Sequence, residues 1–197
     1  MFTKLPLLLK IPDFESHQEE ISYGISTPEG FRGIQYLSVS TSQKEKILSL
    51  IPEQYRDKFE LSLMRINANV PIHTDSGTKC TINFYIEPNG YKTSFYVPNV
   101  ENPEIFRIQN QTNGAIFNPR DLTEVSSFVA EPDEVFLLDV TKPHGVTGDA
   151  SKERIAVTLG SQILTYEEVL GILNMSNEVT NQKEAFLLRP ERSQYGQ

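Results

Sequence analysis

Apolar and polar residues alternate with period two through the middle of the chain. Met64, Ile66, Ala68 and Val70 alternate with Arg65, Asn67 and Asn69, the pattern of a half-buried strand. Cys80, Ile82, Phe84 and Ile86 alternate in the same way with Thr81, Asn83 and Tyr85. Pro88-Asn-Gly90 then predicts a hairpin turn, because Asn-Gly tolerates the positive φ of a tight turn, and Tyr91–Val97 is the predicted return strand. Further strands are predicted at 35–40, 105–108, 115–117, 122–129, 135–140, 145–147 and 154–159. Helical signals flank them. Ser42-Gln-Lys-Glu45 and Thr165-Tyr-Glu-Glu168 read as capping boxes, in which hydroxyl and carboxylate each satisfy a free backbone N–H. Pro52 limits the first helix, 52–59 restarts as a turn or two, and the second helix carries Val169, Leu170 and Leu173. Short strands punctuated by Gly, Pro, Asn and Asp predict a mainly β fold with flanking helices, a sandwich or barrel.

The 197 residues suit one domain with a real core. Its expected parts are an N-terminal support (1–60), a β core (61–160) and a C-terminal helix with a polar tail (161–197). The apolar run Leu5–Leu9 is broken by Pro6 and closed by Lys10, too short for a signal segment or a membrane span. A net charge of -8 argues against a general nucleic-acid partner, since phosphate would be repelled. Cys80 is the one cysteine, so no intramolecular disulfide forms, which fits a reducing compartment. The expectation is a cytoplasmic protein with no membrane partner.

Histidine is scarce: His17, His73 and His144 are the three. His73 stands two residues before Asp75 in "VPIHTDSGTKC", so on a strand both side chains point to one face. Taken alone, that pair reads as a turn histidine bonded to a carboxylate. His144 supplies a third group 69 residues after Asp75. Two imidazoles and one carboxylate on one face of an octahedron leave positions open, the facial triad of non-haem Fe(II) oxygenases. Arg154 follows His144 by ten residues, at the start of "RIAVTLG". Its guanidinium is permanently charged and grips a carboxylate through two parallel hydrogen bonds. Arg154, Ala156 and Thr158 share one face of that strand; Ile155, Val157 and Leu159 share the other. Asn83 and Tyr85 are placed inside the barrel by the same alternation, as contacts for a cosubstrate.

His73-Thr-Asp75, His144 and Arg154, set among short strands, resemble the 2-oxoglutarate- and Fe(II)-dependent dioxygenase family. Within it the small hydroxylase-like members, including prolyl-hydroxylase-like ones, are nearest. The resemblance covers the middle hundred or so residues and the support before them. It implies a double-stranded β-helix, a jelly-roll or cupin-like barrel. It implies iron on His73, Asp75 and His144, and the C5 carboxylate of 2-oxoglutarate on Arg154. It also implies that decarboxylation of 2-oxoglutarate is coupled, through O₂, to hydroxylation. Many members carry serine two residues after the arginine. Here Ala156 stands there, leaving Thr158, Asn83 or Tyr85 to supply the second carboxylate contact. Family halogenases replace the triad carboxylate, so Asp75 favours hydroxylation.

The substrate expected is a small molecule or a protein side chain; an amino acid or a side chain such as proline fits either form. The polar segment Pro98–Asp121 is the natural substrate-side loop. Other residues read blandly: His17 as a solvated surface group, Cys80 as a small buried apolar group, Lys79 and Tyr91 as solvated residues near the mouth. A cupin-type metal protein that binds a small ligand without turnover is the alternative reading. A non-oxygenase metal enzyme such as an isomerase, and a metal-free β interaction protein, are more distant ones.

Overall fold

Alternation makes strands with two unlike faces, and two sheets stacked face to face bury one face of each. The computed structural model describes residues 1–6, 16–20, 33–39, 41–107 and 114–174, with only the backbone for 16–20 and 107. Its strands are β1 (Phe2–Leu5), β2 (Ser16–Glu20), β3 (Ile34–Val39), β4 (Glu60–Ile66), β5 (Val70–His73), β6 (Cys80–Glu87), β7 (Lys92–Pro98), β8 (Ile105–Arg107), β9 (Ala115–Phe117), β10 (Leu122–Val129), β11 (Val135–Leu138), β12 (His144–Thr147) and β13 (Arg154–Ser161). Helix α1 covers Thr41–Leu48, a 3₁₀ segment covers Glu53–Lys58, and α2 runs over residues 166–174.

One sheet has seven strands in the order β1-β11-β6-β13-β4-β3-β2; the other has six, β10-β7-β12-β5-β9-β8. From β4 to β7, and again from β10 to β13, successive strands alternate between the sheets. The inner fours, β11-β6-β13-β4 and β10-β7-β12-β5, interlock as an eight-stranded jelly roll. The fold is therefore a mainly β double-stranded β-helix with flanking helices, as expected.

The outer face of the seven-stranded sheet is capped by helices. Ile82, Phe84, Val157 and Leu159 pack there with Ile47 and Ile51 near α1 and with Val169 and Leu173 of α2. The inner cluster joins Met64, Ile66, Tyr85 and Ala156 of that sheet to Val70, Phe95 and Val146 of the other. The capping box of α2 forms: Glu168 accepts from the Thr165 N–H at 2.8 Å, and Thr165 Oγ1 accepts from the Glu168 N–H at 3.3 Å.

The structure corrects several sequence expectations. The strand read as continuous from Met64 to Val70 is two strands in different sheets, β4 and β5. The alternation survives the corner because Met64, Ile66 and Val70 all face the same inner cluster. Asn89 (φ 49°) and Gly90 (φ 74°) do form a tight turn, closed by the Tyr91 N–H donating to the Pro88 carbonyl. It is not a hairpin, since β6 is paired on both sides by β11 and β13, and β7 belongs to the opposite sheet. Ser42 lies inside α1, which begins at Thr41, so it is not the cap. Phe2–Leu5 forms an edge strand, β1, along β11; neither it nor β2 was foreseen, and residues 7–9 of the apolar run lie outside the described residues. Side-chain readings at His17, and those for Ile108 and the C-terminal tail, lie outside the described residues.

Candidate metal centre and its cavity

His73 closes β5 and His144 opens β12, and the two strands pair so that these residues stand directly opposite each other. Their ring centroids are 4.3 Å apart. The β5–β12 ladder shifts register between His144 and Val146, a bulge beside the site. That suits Pro71, which has no N–H to give an interior ladder. Gly145 is needed in this tight pairing: a Cβ there would meet the Val70 carbonyl at 3.1 Å.

Each imidazole is held from behind. His73 Nδ1–H donates to the Pro71 carbonyl and His144 Nδ1–H to the Lys142 carbonyl, both at 2.9 Å. Both Nε2 atoms are thereby turned forward as the ligating nitrogens. They converge on Asp75 Oδ1, at 3.2 Å from His73 and 3.7 Å from His144. The Asp75 N–H donates to the Val140 carbonyl at 3.0 Å, so the connection from β11 to β12 steadies the carboxylate as well as His144. Phe95 stacks on the His144 ring at 5.7 Å. The ligand atoms of the three residues lie within 4.8 Å of one another, a group that can hold a metal ion.

The electrostatics suit one shared positive charge. Burial and then the His73 charge depress the His144 imidazole to about 4. For His73 burial acts against the charged form, yet the hydrogen bond and charge of Asp75 raise it overall. Asp75 is held below the usual carboxylate range although burial opposes this, because His73 hydrogen-bonds it and both imidazoles attract its charge. A divalent cation offers the carboxylate and both Nε2 lone pairs a stronger partner than that proton.

Arg154 is 2% exposed, at the start of β13. It donates to the Tyr85 hydroxyl at 2.6 Å and to Thr93 Oγ1 at 3.0 Å, and its guanidinium carbon lies 4.7 Å from the Tyr85 ring centroid. Among the described residues no carboxylate pairs with it. Its Nε and the Oδ1 of neighbouring-strand Asn83 are buried without a partner. A buried charge without a counter-ion is expensive.

A cavity of about 730 Å³ opens at His73 and Asp75, with Thr158 and Tyr36 also on its wall; His144, Arg154, Asn83 and Tyr85 do not line it. Asn83 and Tyr85 are buried on the inner face, as the alternation predicted. Thr158 faces the cavity, while the hydroxyls bound by Arg154 are those of Tyr85 and Thr93. Thr93 and Tyr36 were missed. Both were legible by alternation: Thr93 shares a strand face with Phe95, and Tyr36 lies opposite the buried Leu37. Tyr91 is not solvated; it is 2% exposed, and its hydroxyl donates to the carbonyls of Asp149 and Lys152. Lys79 is exposed and reaches the Ile163 carbonyl. Within Pro98–Asp121, β8 and β9 pair as a hairpin, and Ala115 and Ile116 of β9 reach the cavity; 108–113 lie outside the described residues.

No known protein family matches the chain, and no curated protein matches it. Among solved structures it is similar to vicilin from Corylus avellana (hazelnut), at 10% identity over 66% of this chain and 29% of that one, with a TM-score of 0.39. It is similar to vicilin from Solanum melongena at 16% identity, over 66% and 29%, with a TM-score of 0.36. It is also similar to E. coli ycfD at 10% identity, over 83% and 42%, with a TM-score of 0.40. The chain thus spans less than half the length of each, and the fold assignment rests on strand order. Among the described residues no helix is long and apolar enough to cross a membrane.

Proposed function

We propose that the protein is a non-haem Fe(II) oxygenase that couples oxidative decarboxylation of 2-oxoglutarate to hydroxylation of an organic substrate. The observation that carries this reading is the convergence of two Nε2 atoms on one carboxylate, with both Nδ1–H groups already committed to carbonyls. Two neutral nitrogens and one carboxylate oxygen fit Fe(II), and a three-residue set leaves open coordination positions. His73, Asp75 and His144 would hold the iron, which when bound supplies the activation of O₂ that side chains lack.

The chain's own groups do the rest. The Pro71 and Lys142 carbonyls fix the imidazole tautomers and raise their basicity. Arg154, with Tyr85 and Thr93 beside it, would grip the far carboxylate of 2-oxoglutarate, and its Nε has a hydrogen bond still to give. Asn83 and Thr158 complete the polar wall around the cosubstrate. Burial of this pocket excludes water and strengthens the guanidinium–carboxylate attraction.

The test is visible absorption under anaerobic conditions. Purified protein with Fe(II) and 2-oxoglutarate is expected to show a weak charge-transfer band that needs both components. His73→Ala should abolish it by losing metal, and Arg154→Ala by losing the cosubstrate. Metal bound without a band would favour the cupin-type binding protein, and absence of metal binding would sink the reading.

A further inference from the structure

The cavity at His73 and Asp75 carries charges of both signs on its wall. Apart from His73 and Asp75, its charged wall residues among the described ones are Lys44 and Glu60. Lys44 comes from α1 and Glu60 from the first position of β4. Both side chains are exposed, and among the described residues neither is in an ion pair. Their formal charges cancel. The uncharged polar wall includes the hydroxyls of Ser38, Ser62, Thr78 and Thr81, and its apolar part includes Val70 and Ile116.

Resting on the oxygenase reading, we propose that this cavity takes a free α-amino acid as the substrate to be hydroxylated. Its carboxylate would meet Lys44 and its ammonium Glu60, with the side chain directed toward the triad. A phosphorylated or polyanionic substrate would call for several cations, and among the described residues the wall has one lysine, Lys44, and no arginine. A cationic substrate would call for an excess of acids, and Glu60 is offset by Lys44. A side chain borne on a protein brings neither an ammonium nor a carboxylate at its own backbone and leaves both rim charges unmatched. The size agrees: about 730 Å³ lies within the roughly 300–1,000 Å³ of small-molecule sites.

Protein loaded with Fe(II) and 2-oxoglutarate is exposed to O₂ with each free L-α-amino acid, and separately with its N-acetyl amide. Succinate formation and the mass of the amino acid are followed. Expected is at least one free amino acid that gains one oxygen and accelerates succinate formation, while its blocked form does neither. Lys44→Ala and Glu60→Gln, both exposed substitutions, should each raise its KM by about tenfold or more, as loss of a charge-assisted hydrogen bond does. Equal turnover of free and blocked forms would overturn the proposal in favour of a protein-borne substrate. A normal charge-transfer band with no amino acid turned over would overturn it and leave the oxygenase reading standing. Absence of the band would overturn both.

Discussion

The two faces of β13 show how one strand serves two purposes. On its outer face Ile155, Val157 and Leu159 pack under α1 and α2, with Val157 and Leu159 fully buried. On its inner face Arg154, Ala156 and Thr158 turn toward the second sheet, where Arg154 Nε is left without a partner. β6 repeats the division, with Ile82 and Phe84 outside and Asn83 and Tyr85 inside. Every contact on the outer face is supplied by the protein. The inner face sets buried polar groups among apolar ones, and two of their atoms, Arg154 Nε and Asn83 Oδ1, have no partner, which a fully packed core avoids.

Substitutions on either side sharpen that contrast. The largest effect is expected outside: Leu159→Ala leaves a cavity in a close-packed layer and should lower stability by about 3 kcal/mol or more in urea unfolding. Metal affinity of the folded fraction should be unchanged. On the inside, Arg154→Met keeps the volume and removes the charge. Unfolding free energy should stay within about 1 kcal/mol, because losing the hydrogen bonds to Tyr85 and Thr93 is offset by removing the cost of a buried charge. Affinity for 2-oxoglutarate, titrated by the charge-transfer band, should fall by at least about thirtyfold, as for other buried charge contacts. A large loss of stability in Arg154→Met would make the guanidinium a structural group and erase the contrast. The smallest effect belongs to the rim of the outer layer. Thr165→Ala breaks the capping box of α2 and should cost about 1 kcal/mol in thermal or urea unfolding, with iron binding unaltered.

The glycine-rich and proline-rich connections divide the labour differently. Pro71 and Gly145 flank the two histidines and permit the close, bulged pairing of β5 with β12. Pro88-Asn-Gly90 turns the chain from β6 in one sheet to β7 in the other.

Much was legible before any coordinates. Period-two alternation located most of the β strands, because each strand between two layers must hide one face. It also put Asn83, Tyr85, Arg154 and Thr158 on inner faces; His73 and Asp75 do stand side by side, although β5 ends at His73 and Asp75 lies in the connection beyond it. What the sequence could not determine is pairing. Strand neighbours are chosen by long-range contacts, so the corner at 67–69, the separation of β6 from β7 and the edge strand β1 emerged only in three dimensions. The same holds for the site: His144 meets His73 because β12 is laid beside β5, and Thr93 meets Arg154 across the two sheets. Local pattern determined which face each residue shows; the jelly-roll topology alone decided which faces meet.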